Sequence, residues 1–400
     1  MKNYDVLVIG AGFAGAVVAG ELARRGGKKV LVLERRDHIG GNAYDRLDDA
    51  GVLIHQYGPH IFHTNDRQVF DYLSRYTQWR RYQHRVIANL PRDNPQAVPP
   101  HKSTDGRMFF PVPFNLDSLK SAFGETEGER LGRKLLDAYP AQSQVTILEL
   151  RQNSDPEIAA IADYVYEHVF VHYTMKQWGQ TPEEIDPNTT ARVPVRLSRD
   201  DRYFQDAYQG MPLEGYTPIF EKILDHPNIT VETRVDALTR LKLEDGKVFL
   251  DGAEFSGAVI YTGQADELFG FRFGRLPYRT LDFDFETLPQ DAYQTHGTVN
   301  YTVDAPYTRI TEFKHMTGQV LPGVTTIVKE YSKAYTGAPG ETPYYAIINA
   351  ENNALYGKYA ALAAGYGTLH LLGRLAEYKY YNMDAIVARA LALADRLLGE

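Results

Sequence analysis

Cysteine is absent from the 400 residues of the chain, and this absence excludes several kinds of chemistry at once. No redox-active dithiol, thiolate nucleophile, cysteinyl cofactor link or cysteine-ligated zinc site can form. Basic charge is also scarce, because 43 Lys and Arg residues stand against 51 Asp and Glu residues and leave a formal net charge of −8. A nucleic-acid partner is therefore not expected, and an anionic ligand would need arginines placed at its own site.

Long apolar runs are missing as well. Near the N-terminus, Asp5 lies within a short apolar stretch that Gly10 and Gly12 interrupt. We expect neither a secretory signal nor a membrane span there, so a cytoplasmic location is the default prediction. The remaining composition, 44% apolar and 24% charged, is typical of a globular chain with room for two or three structural units.

The first informative pattern begins near the N-terminus and reads YDVLVIGAGFAGAVVAGELARRGGKKVLVLERRDHIGGN. Apolar, largely β-branched residues in Asp5–Ile9 and Lys29–Leu33 predict two buried parallel strands, with a glycine turn and a helix between them. Gly10 would make the tight turn, Gly12 would let the backbone approach a pyrophosphate, and Gly15 would let the helix pack closely on the strand. With Phe13 and Ala14 this segment indicates a dinucleotide at a helix N-terminus.

An acid and a second glycine pair narrow the choice of dinucleotide. Glu34 follows Gly10 by 24 positions, where a carboxylate can accept from a ribose 2′-hydroxyl and disfavours a 2′-phosphate. Arg35 comes next, and Gly40-Gly41-Asn42 resembles the second glycine pair of FAD proteins with the glutathione-reductase-like fold. No second motif of this kind follows for a separate nicotinamide, so FAD is the predicted cofactor.

Two later segments are predicted to add strands to the cofactor-binding sheet. Val259–Tyr261 with Gly263, and Thr368–Leu372 with Gly373 and Arg374, each pair a short apolar strand with a glycine turn. The final stretch, Met383–Leu398, has helical periodicity, with Asn382 as a plausible N-cap. Its N-terminus could face an anionic flavin edge, or the helix could serve only for packing.

Two insertions interrupt the cofactor domain. Helical spacing marks Asn115–Tyr173, while strand patterns mark the segments Leu281–Glu286, Thr298–Thr302, Thr308–Phe313 and Thr325–Tyr331. The proline-rich stretch Asn89–Met108 predicts a loop. The predicted fold is α/β: a discontinuous Rossmann-like FAD-binding domain of the glutathione-reductase-like kind, with an inserted helical domain and an antiparallel β-sheet domain. The predicted boundaries are 1–85, 208–270 and 350–400 for FAD binding, 109–178 for the helical domain, and 86–108, 179–207 and 271–349 for the sheet domain.

Aromatic residues and arginines cluster where a nucleotide site is expected. Phe170 and Tyr173 lie three apart at a predicted helix end, with Trp178 beyond it, so that one face could stack a base. Phe170 could instead belong to the core. Arg199 and Arg202 are interpreted as members of a solvated charged loop. His55, His60 and His63 are close in sequence, but nothing around them has zinc-ligand spacing, so no metal is predicted.

Seven motifs together resemble the bacterial UDP-galactopyranose mutases, nearly end to end. These are GPHIFHT from Gly58, YTMKQWG from Tyr173, ARVP from Ala191, YTRI from Tyr307, EFKH from Glu312, PYY from Pro343 and GRLAEYKYYNMD from Gly373. The resemblance implies interconversion of UDP-galactopyranose and UDP-galactofuranose with no net redox change. It also implies a cofactor, FAD, that is active when reduced by an external electron donor, and whose N5 attacks galactose C1. A homo-oligomer is left open.

The resemblance assigns roles to individual residues. It implies a catalytic set of Arg192, Arg309, His60 and Asn382, in which the two arginines clamp the diphosphate. The implied substrate-binding residues are Phe170, Tyr173, Thr174, Trp178, Arg192, Tyr203, Arg309, Tyr345, Tyr380 and Asn382. The implied cofactor-binding residues are Gly10, Gly12, Phe13, Ala14, Gly15, Glu34, Arg35, Gly41, Asn42, His60, Ile61, Gly263, Gly373, Arg374, Tyr381, Asn382 and Met383.

Some alternatives stay open at this point. Arg309 could form a cross-strand ion pair with Glu312 or another neighbour instead of binding substrate. The loop Gly179–Thr190 is predicted to close over the UDP-sugar and exclude water. An amine-oxidase-like flavin oxidoreductase would share the cofactor fold, and a non-catalytic binding protein like the GDP-dissociation inhibitors is the third possibility.

Overall fold

The computed structural model describes residues 4–91, 106–179 and 194–399. The chain divides into two compact units: unit 1 comprises Met1–Arg81, Asp206–Thr280 and Tyr335–Glu400, and unit 2 comprises Tyr82–Gln205 and Leu281–Ala334. The predicted division into three domains stays a prediction. Arg192 and most of the predicted closing loop lie outside the described residues.

The described strands are β1 Val6–Ile9, β2 Val30–Leu33, β3 Asp45–Leu47, β4 Leu53–His55, β5 Phe62–Thr64, β6 Trp79–Arg81, β7 Val86–Pro91, β8 Arg107–Val112, β9 Gln144–Val145, β10 Val195–Arg196, β11 Tyr208–Pro212, β12 Ile229–Glu232, β13 Leu241–Glu244, β14 Lys247–Leu250, β15 Ala253–Glu254, β16 Ala258–Tyr261, β17 Tyr278–Leu288, β18 Thr298–Tyr301, β19 Arg309–Glu312, β20 Thr325–Ala334, β21 Tyr345–Ala346 and β22 Leu369–Leu371. The described α-helices are α1 Phe13–Gly26, α2 Arg67–Leu73, α3 Leu116–Phe123, α4 Glu125–Ala138, α5 Ile147–Arg151, α6 Pro156–Val165, α7 His172–Trp178, α8 Thr217–Leu224, α9 Ala265–Leu268, α10 Phe313–Thr317, α11 Ala350–Ala364 and α12 Met383–Leu398. Short 3-10 turns lie at Gly41–Ala43 and Ala237–Thr239, and a π-helical stretch at Tyr166–Val171.

A parallel sheet with the strand order β12-β2-β1-β16-β22 forms the centre of unit 1. β1 and β2 are joined through α1, as the glycine motif predicts. β16 and β22 lie on the other side of β1, so the predicted returns of the chain to this sheet are confirmed. All four residues of β2 are buried, which explains their continuous apolar run. The helix α12 packs along α1, and its bounds are those predicted.

Smaller antiparallel sheets complete unit 1. β11 lies between β5 and β6, β14 lies between β13 and β15, and β3 pairs with β4. The pairing of β3 with β4 leads directly into the segment that contains His60. Unit 1 therefore combines a Rossmann-like sheet with short hairpins that carry loops of the candidate site.

Unit 2 combines a sheet with a helical core. The strand order of its sheet is β17-β20-β19-β18-β7-β8. Its apolar core draws on β7, β8 and the helices α3 to α6, whose buried side chains include Leu119, Leu135 and Ile161. The segment from Asn115 to Tyr173 is helical for most of its length, as its spacing predicts.

Three sequence predictions need correction in unit 2. The sheet is not antiparallel throughout, since β7 and β18 pair in parallel. The predicted loop Asn89–Met108 is wrong at both ends, because these ends belong to β7 and β8, which pair antiparallel, while residues 92–105 lie outside the described part. Trp178 is not past the helix: α7 continues to it and ends where Gly179 adopts a left-handed conformation.

Within the described ranges, no helix combines the length and the apolar character needed to cross a membrane.

Candidate functional site

Two glycine motifs meet at one point in unit 1. Gly10 has a φ of +102°, and a Cβ built there would lie 2.0 Å from Thr262 Oγ1. A Cβ on Gly15 would lie 1.9 Å from the carbonyl oxygen of Gly10, so helix α1 could not approach β1 with any larger residue. A Cβ on Gly41 would come within 2.9 Å of Gly12 Cα. The two segments can pass this closely only because both lack side chains, and their backbones form the wall of a cavity.

This cavity has a volume of about 570 Å³, which suits a small-molecule or cofactor site. Most of the predicted cofactor residues line it, namely Gly10, Gly12, Phe13, Ala14, Glu34, Arg35, Gly41, Asn42, His60, Gly263, Gly373, Arg374, Tyr381, Asn382 and Met383. Gly15 and Ile61 are not part of the lining. Residues that are far apart in the sequence, from Gly10 to Met383, thus line one cavity.

Two helix N-termini face this cavity. Helix α1 starts after Gly12, which has no side chain to cap the first N–H groups, and these groups are therefore placed to bind phosphate oxygens. Helix α12 starts after Asn382, which occupies the predicted N-cap position but makes no side-chain capping bond. The N-terminus of α12 lines the cavity, and the body of the helix packs on α1. That this N-terminus faces a flavin stays a prediction.

Glu34 is fixed by the backbone around it. Its Oε2 accepts from the N–H of Ala11 at 2.8 Å, and its Oε1 accepts from the N–H of Arg36 at 2.9 Å. The residue is buried, yet it lines the cavity at the end of β2. Each carboxylate oxygen keeps a further lone pair for a ribose hydroxyl. Arg35, in contrast, pairs with Glu267 and Asp236.

A buried histidine holds the segment that contains His60. The backbone N–H of His60 donates to Nδ1 of His55 at 3.0 Å. Nδ1 of the His60 ring lies 2.8 Å from the carbonyl oxygen of Gly58. Because Nδ1 of His55 accepts a hydrogen bond, its ring is neutral with the proton on Nε2. Burial lowers the pKa of His55 to about 4. The His60 side chain lines the cavity, and the neutral imidazole of His55 holds the His60 backbone in place.

Several lining residues were missed by the sequence analysis. Arg36 stacks over the Tyr57 ring at 4.0 Å and donates to Asn42 Oδ1 at 2.8 Å. Residues 235–238 and 340–343, with Tyr335, also line the cavity. Arg36 could have been found from its place two residues after the acid. The distant segments carried no comparable signal, because they reach the cavity only through the fold.

Two of the predicted substrate tyrosines stack at the surface of unit 1. The rings of Tyr345 and Tyr380 lie 6.0 Å apart at 23°, and Tyr380 is 47% exposed. The guanidinium of Arg374 lies 4.7 Å from the Tyr380 ring and 5.8 Å from the Tyr345 ring. Its Nε donates to the carbonyl oxygen of Tyr381 at 2.6 Å. A positive charge therefore accompanies both tyrosines.

Arg309 lies in unit 2 and forms a cross-strand ion pair, which was the structural alternative to substrate binding. Its Nε donates to Oε1 of Glu330 at 2.7 Å, and the side chain of Glu330 is only 1% exposed. The partner suggested by name, Glu312, is wrong. Glu312 instead accepts from the N–H groups of Tyr293 and Gln294.

The predicted aromatic face lies on α7 and the π-helical stretch before it. Tyr173, Thr174 and Trp178 lie on α7, where Thr174 is buried and the two aromatic residues are half-buried. Phe170 lies in the π-helical stretch with 2% of its surface exposed and packs in the core of unit 2. π-Helical stretches are frequent at functional sites. Their side-chain spacing differs from that of the regular helix predicted from the sequence.

The remaining predicted residues of unit 2 lie nearer its surface. Tyr203 is 37% exposed, and its backbone N–H donates to the carbonyl oxygen of His84 at 2.8 Å. Arg199 pairs with Asp117 and Glu129, and Arg202 pairs with Asp200, so both belong to surface ion pairs.

The histidines do not form a metal centre in the described ranges. His63 pairs with Asp206 through Nδ1 at 2.9 Å, and His55 holds the His60 backbone. No group of three or more His, Cys, Asp or Glu side chains among the described residues is arranged to hold a metal ion.

Comparison with known proteins identifies the family of the chain. Residues 168–380 match the model of the UDP-galactopyranose mutase family, and residues 8–76 match an NAD(P)-binding Rossmann-like domain. A Klebsiella pneumoniae protein called "Probable UDP-galactopyranose mutase" is 36% identical over 100% of this chain and 96% of its own length. An Escherichia coli dTDP-fucopyranose mutase is 33% identical over 98% of this chain and 97% of its own.

A solved structure confirms the predicted fold class. The crystal structure of a reduced UDP-galactopyranose mutase superimposes with a TM-score of 0.73 at 16% identity, covering 100% of this chain and 94% of that one. Since the identity is low, this likeness shows the fold alone. The family match and the full-length relatives carry the further conclusion that the chain belongs to the UDP-galactopyranose mutase family, a family of isomerases.

Proposed function

We propose that the protein interconverts UDP-galactopyranose and UDP-galactofuranose without net redox change, using reduced FAD. The observation that carries the proposal is the backbone cradle of Gly10, Gly12 and Gly41 in a chain that matches mutases over its whole length. The absence of cysteine supports it, because no dithiol can relay electrons beside the flavin.

The cavity fits FAD on several counts. Its walls come from two glycine segments that touch, an acid held at the end of β2, and two helix N-termini. A diphosphate suits the start of α1, and the flavin end suits the start of α12. When bound, reduced FAD supplies N5 as a nucleophile toward galactose C1, with electrons from an external donor. We assign the cofactor to the lining residues given above, with Gly15 and Ile61 supporting them.

Two residues of the cavity are assigned to the flavin and the sugar. The His60 ring would place a hydrogen-bonding nitrogen beside the flavin, on a backbone that His55 fixes. Asn382 would lie near both flavin and sugar, because it precedes α12 and its side chain makes no capping bond there. An amide suits this place because it can both donate and accept.

The substrate roles follow the same assignment. Arg309 and Arg192 would neutralise the diphosphate as it leaves and keep UDP close for recapture. Glu330 supports this role for Arg309, since a buried carboxylate fixes its guanidinium through Nε. The uridine would contact Tyr173, Thr174 and Trp178, with Phe170 in the same group, and the hydroxyls of Tyr203, Tyr345 and Tyr380 would reach the phosphates.

The test is conversion of UDP-galactofuranose by the purified holoprotein, with and without dithionite, followed by chromatography. We expect conversion only under reducing conditions, and no conversion there would overturn the proposal. A parallel incubation with dTDP-fucopyranose tests the substrate named for the second full-length relative. Faster turnover of dTDP-fucopyranose than of the UDP-sugar would make it the proposed substrate. An amine-oxidase-like activity would instead consume oxygen and oxidise its substrate.

A further inference from the structure

Lys176 lies within α7, between Tyr173 and Trp178, and its side chain ends in a cage of backbone oxygens. Its ammonium donates to the carbonyl oxygens of Tyr301 at 2.5 Å, Ala305 at 3.1 Å and Tyr307 at 3.4 Å. An ammonium carries three N–H donors, so three carbonyl acceptors match it fully. The side chain therefore ties one helix to one turn at a single point.

That turn leads directly into the strand of Arg309. The three carbonyls come from the end of β18 and the segment before β19, and the last of them lies two residues before Arg309. A shift of the turn along the strand direction would carry Arg309 with it. Lys176 thus contacts the backbone of the segment that leads into the strand of Arg309.

A second tie joins the same helix to the next strand. The hydroxyl of Ser332 in β20 donates to the carbonyl oxygen of Gln177 at 2.6 Å. Two residues earlier in β20, Glu330 holds Arg309 by its Nε. Helix α7 is therefore fixed to both strands that define where Arg309 lies.

The electrostatic setting explains why this contact is specific to an ammonium. Burial lowers the pKa of Lys176 to about 8, and Asp304 opposes this effect. Asp304 is itself ion-paired with Arg107, so its charge is shared. The carbonyl oxygens therefore carry much of the stabilisation of the charge, and an apolar side chain of similar length would leave them without a donor.

We propose that Lys176 is a positioning residue that sets the distance between the base-binding helix α7 and Arg309, so that one nucleotide diphosphate meets both together. This inference rests on the proposed function, which assigns uridine to Tyr173 and Trp178 and the diphosphate to Arg309. Its consequence is selective. Ligands that span both contacts depend on Lys176, while a ligand that uses only one of them does not.

The experiment compares the wild-type holoprotein with Lys176→Met by measuring the dissociation constants of UDP, uridine and pyrophosphate. We expect the constant for UDP to rise roughly tenfold, while those for uridine and pyrophosphate change by less than about twofold. Lys176→Arg, which keeps the charge and the donors, should restore part of the UDP affinity. An unchanged constant for UDP overturns the inference, and so does an equal loss for all three ligands, since that is the signature of a displaced helix.

Two further arms keep the outcome clear. If Lys176→Met does not fold, Ser332→Ala replaces it, with the same selective pattern expected at smaller size and an unselective pattern contradicting the inference. Wild-type protein that binds no UDP overturns the proposed function and the inference with it. Wild-type protein that binds UDP and converts the sugar, beside a Lys176→Met variant that binds UDP equally well, overturns the inference alone.

Discussion

The candidate site in unit 1 is formed mainly by backbone, whereas the candidate site residues in unit 2 act through their side chains. In unit 1 the candidate cofactor cavity is shaped by backbone, with glycines at points where a Cβ would meet another atom at about 2 to 3 Å. In unit 2 the candidate substrate groups are shaped by side chains that other side chains or carbonyls hold, as Glu330 holds Arg309. We therefore expect substitutions in the first region to abolish cofactor binding, and substitutions in the second to weaken substrate binding by degrees.

The largest effect is expected at Gly10. In Gly10→Ala the new Cβ would lie 2.0 Å from Thr262 Oγ1, on a residue whose φ is +102°. The variant should lose its flavin and several kcal/mol of stability, about 3 or more. Flavin absorbance of the purified protein and chemical denaturation measure both. Gly357→Ala is the matched control, since a Cβ there meets nothing within 4 Å and should leave the flavin in place. Normal flavin content in Gly10→Ala would contradict the claim that closely packed backbone is required for cofactor binding in unit 1.

The next effect is on turnover. Arg309→Ala should cost about 3 kcal/mol, roughly a hundredfold in kcat/KM, with flavin content unchanged. Because this change leaves Glu330 as a buried carboxylate without its guanidinium, the double variant Arg309→Ala with Glu330→Gln is the folding control. Near-normal efficiency in either variant would give Arg309 a purely structural role.

Acid should weaken unit 1 through His55. The folded state keeps this ring neutral down to about pH 4, because burial lowers its pKa, whereas the unfolded chain titrates near the ordinary value of 6.5. Between these values the unfolded state binds more protons, so the free energy of unfolding falls as the pH falls, by at most about 3 kcal/mol in total. Unfolding titrations from pH 7 to pH 4 measure this loss. His55→Gln should show a shallower dependence, and an identical dependence would remove His55 from the account.

The smallest effect is expected at Tyr380. Tyr380→Phe keeps the ring that Arg374 and Tyr345 contact and removes only the hydroxyl. Loss of one hydrogen bond to a phosphate should cost about 1 to 2 kcal/mol, seen as a rise in KM for the UDP-sugar. A fall in flavin content without a rise in KM would move Tyr380 from the substrate to the cofactor.

The sequence predicted unit 1 well because its signals are local. The strand, glycine turn, helix and acid of the first dinucleotide segment lie within the 31 residues from Val6 to Arg36. Each of these features depends on residues that are close in the chain. Residues 340–343 were not predicted, since they reach the cavity only through the fold of the whole unit.

Unit 2 was harder to predict because its pairs depend on register. Arg309 and Glu312 are three apart on one strand and therefore point to opposite faces, which removes Glu312 as a partner. Glu330 lies directly opposite Arg309 in the β19–β20 register, and nothing in the sequence gives that register. The sequence pattern predicts a helix end before Trp178, whereas α7 continues to Trp178 and ends at Gly179 in a left-handed conformation.

The central claim is that the cofactor of unit 1 serves an isomerisation and not a net oxidation. The most direct test is an anaerobic reaction in which the bound flavin is reduced once, the reductant is removed, and UDP-galactofuranose is added in large excess. We predict many molecules of UDP-galactopyranose per flavin while the absorbance stays that of reduced flavin. A single equivalent of oxidised product, or re-oxidation of the flavin in step with substrate loss, would contradict the account.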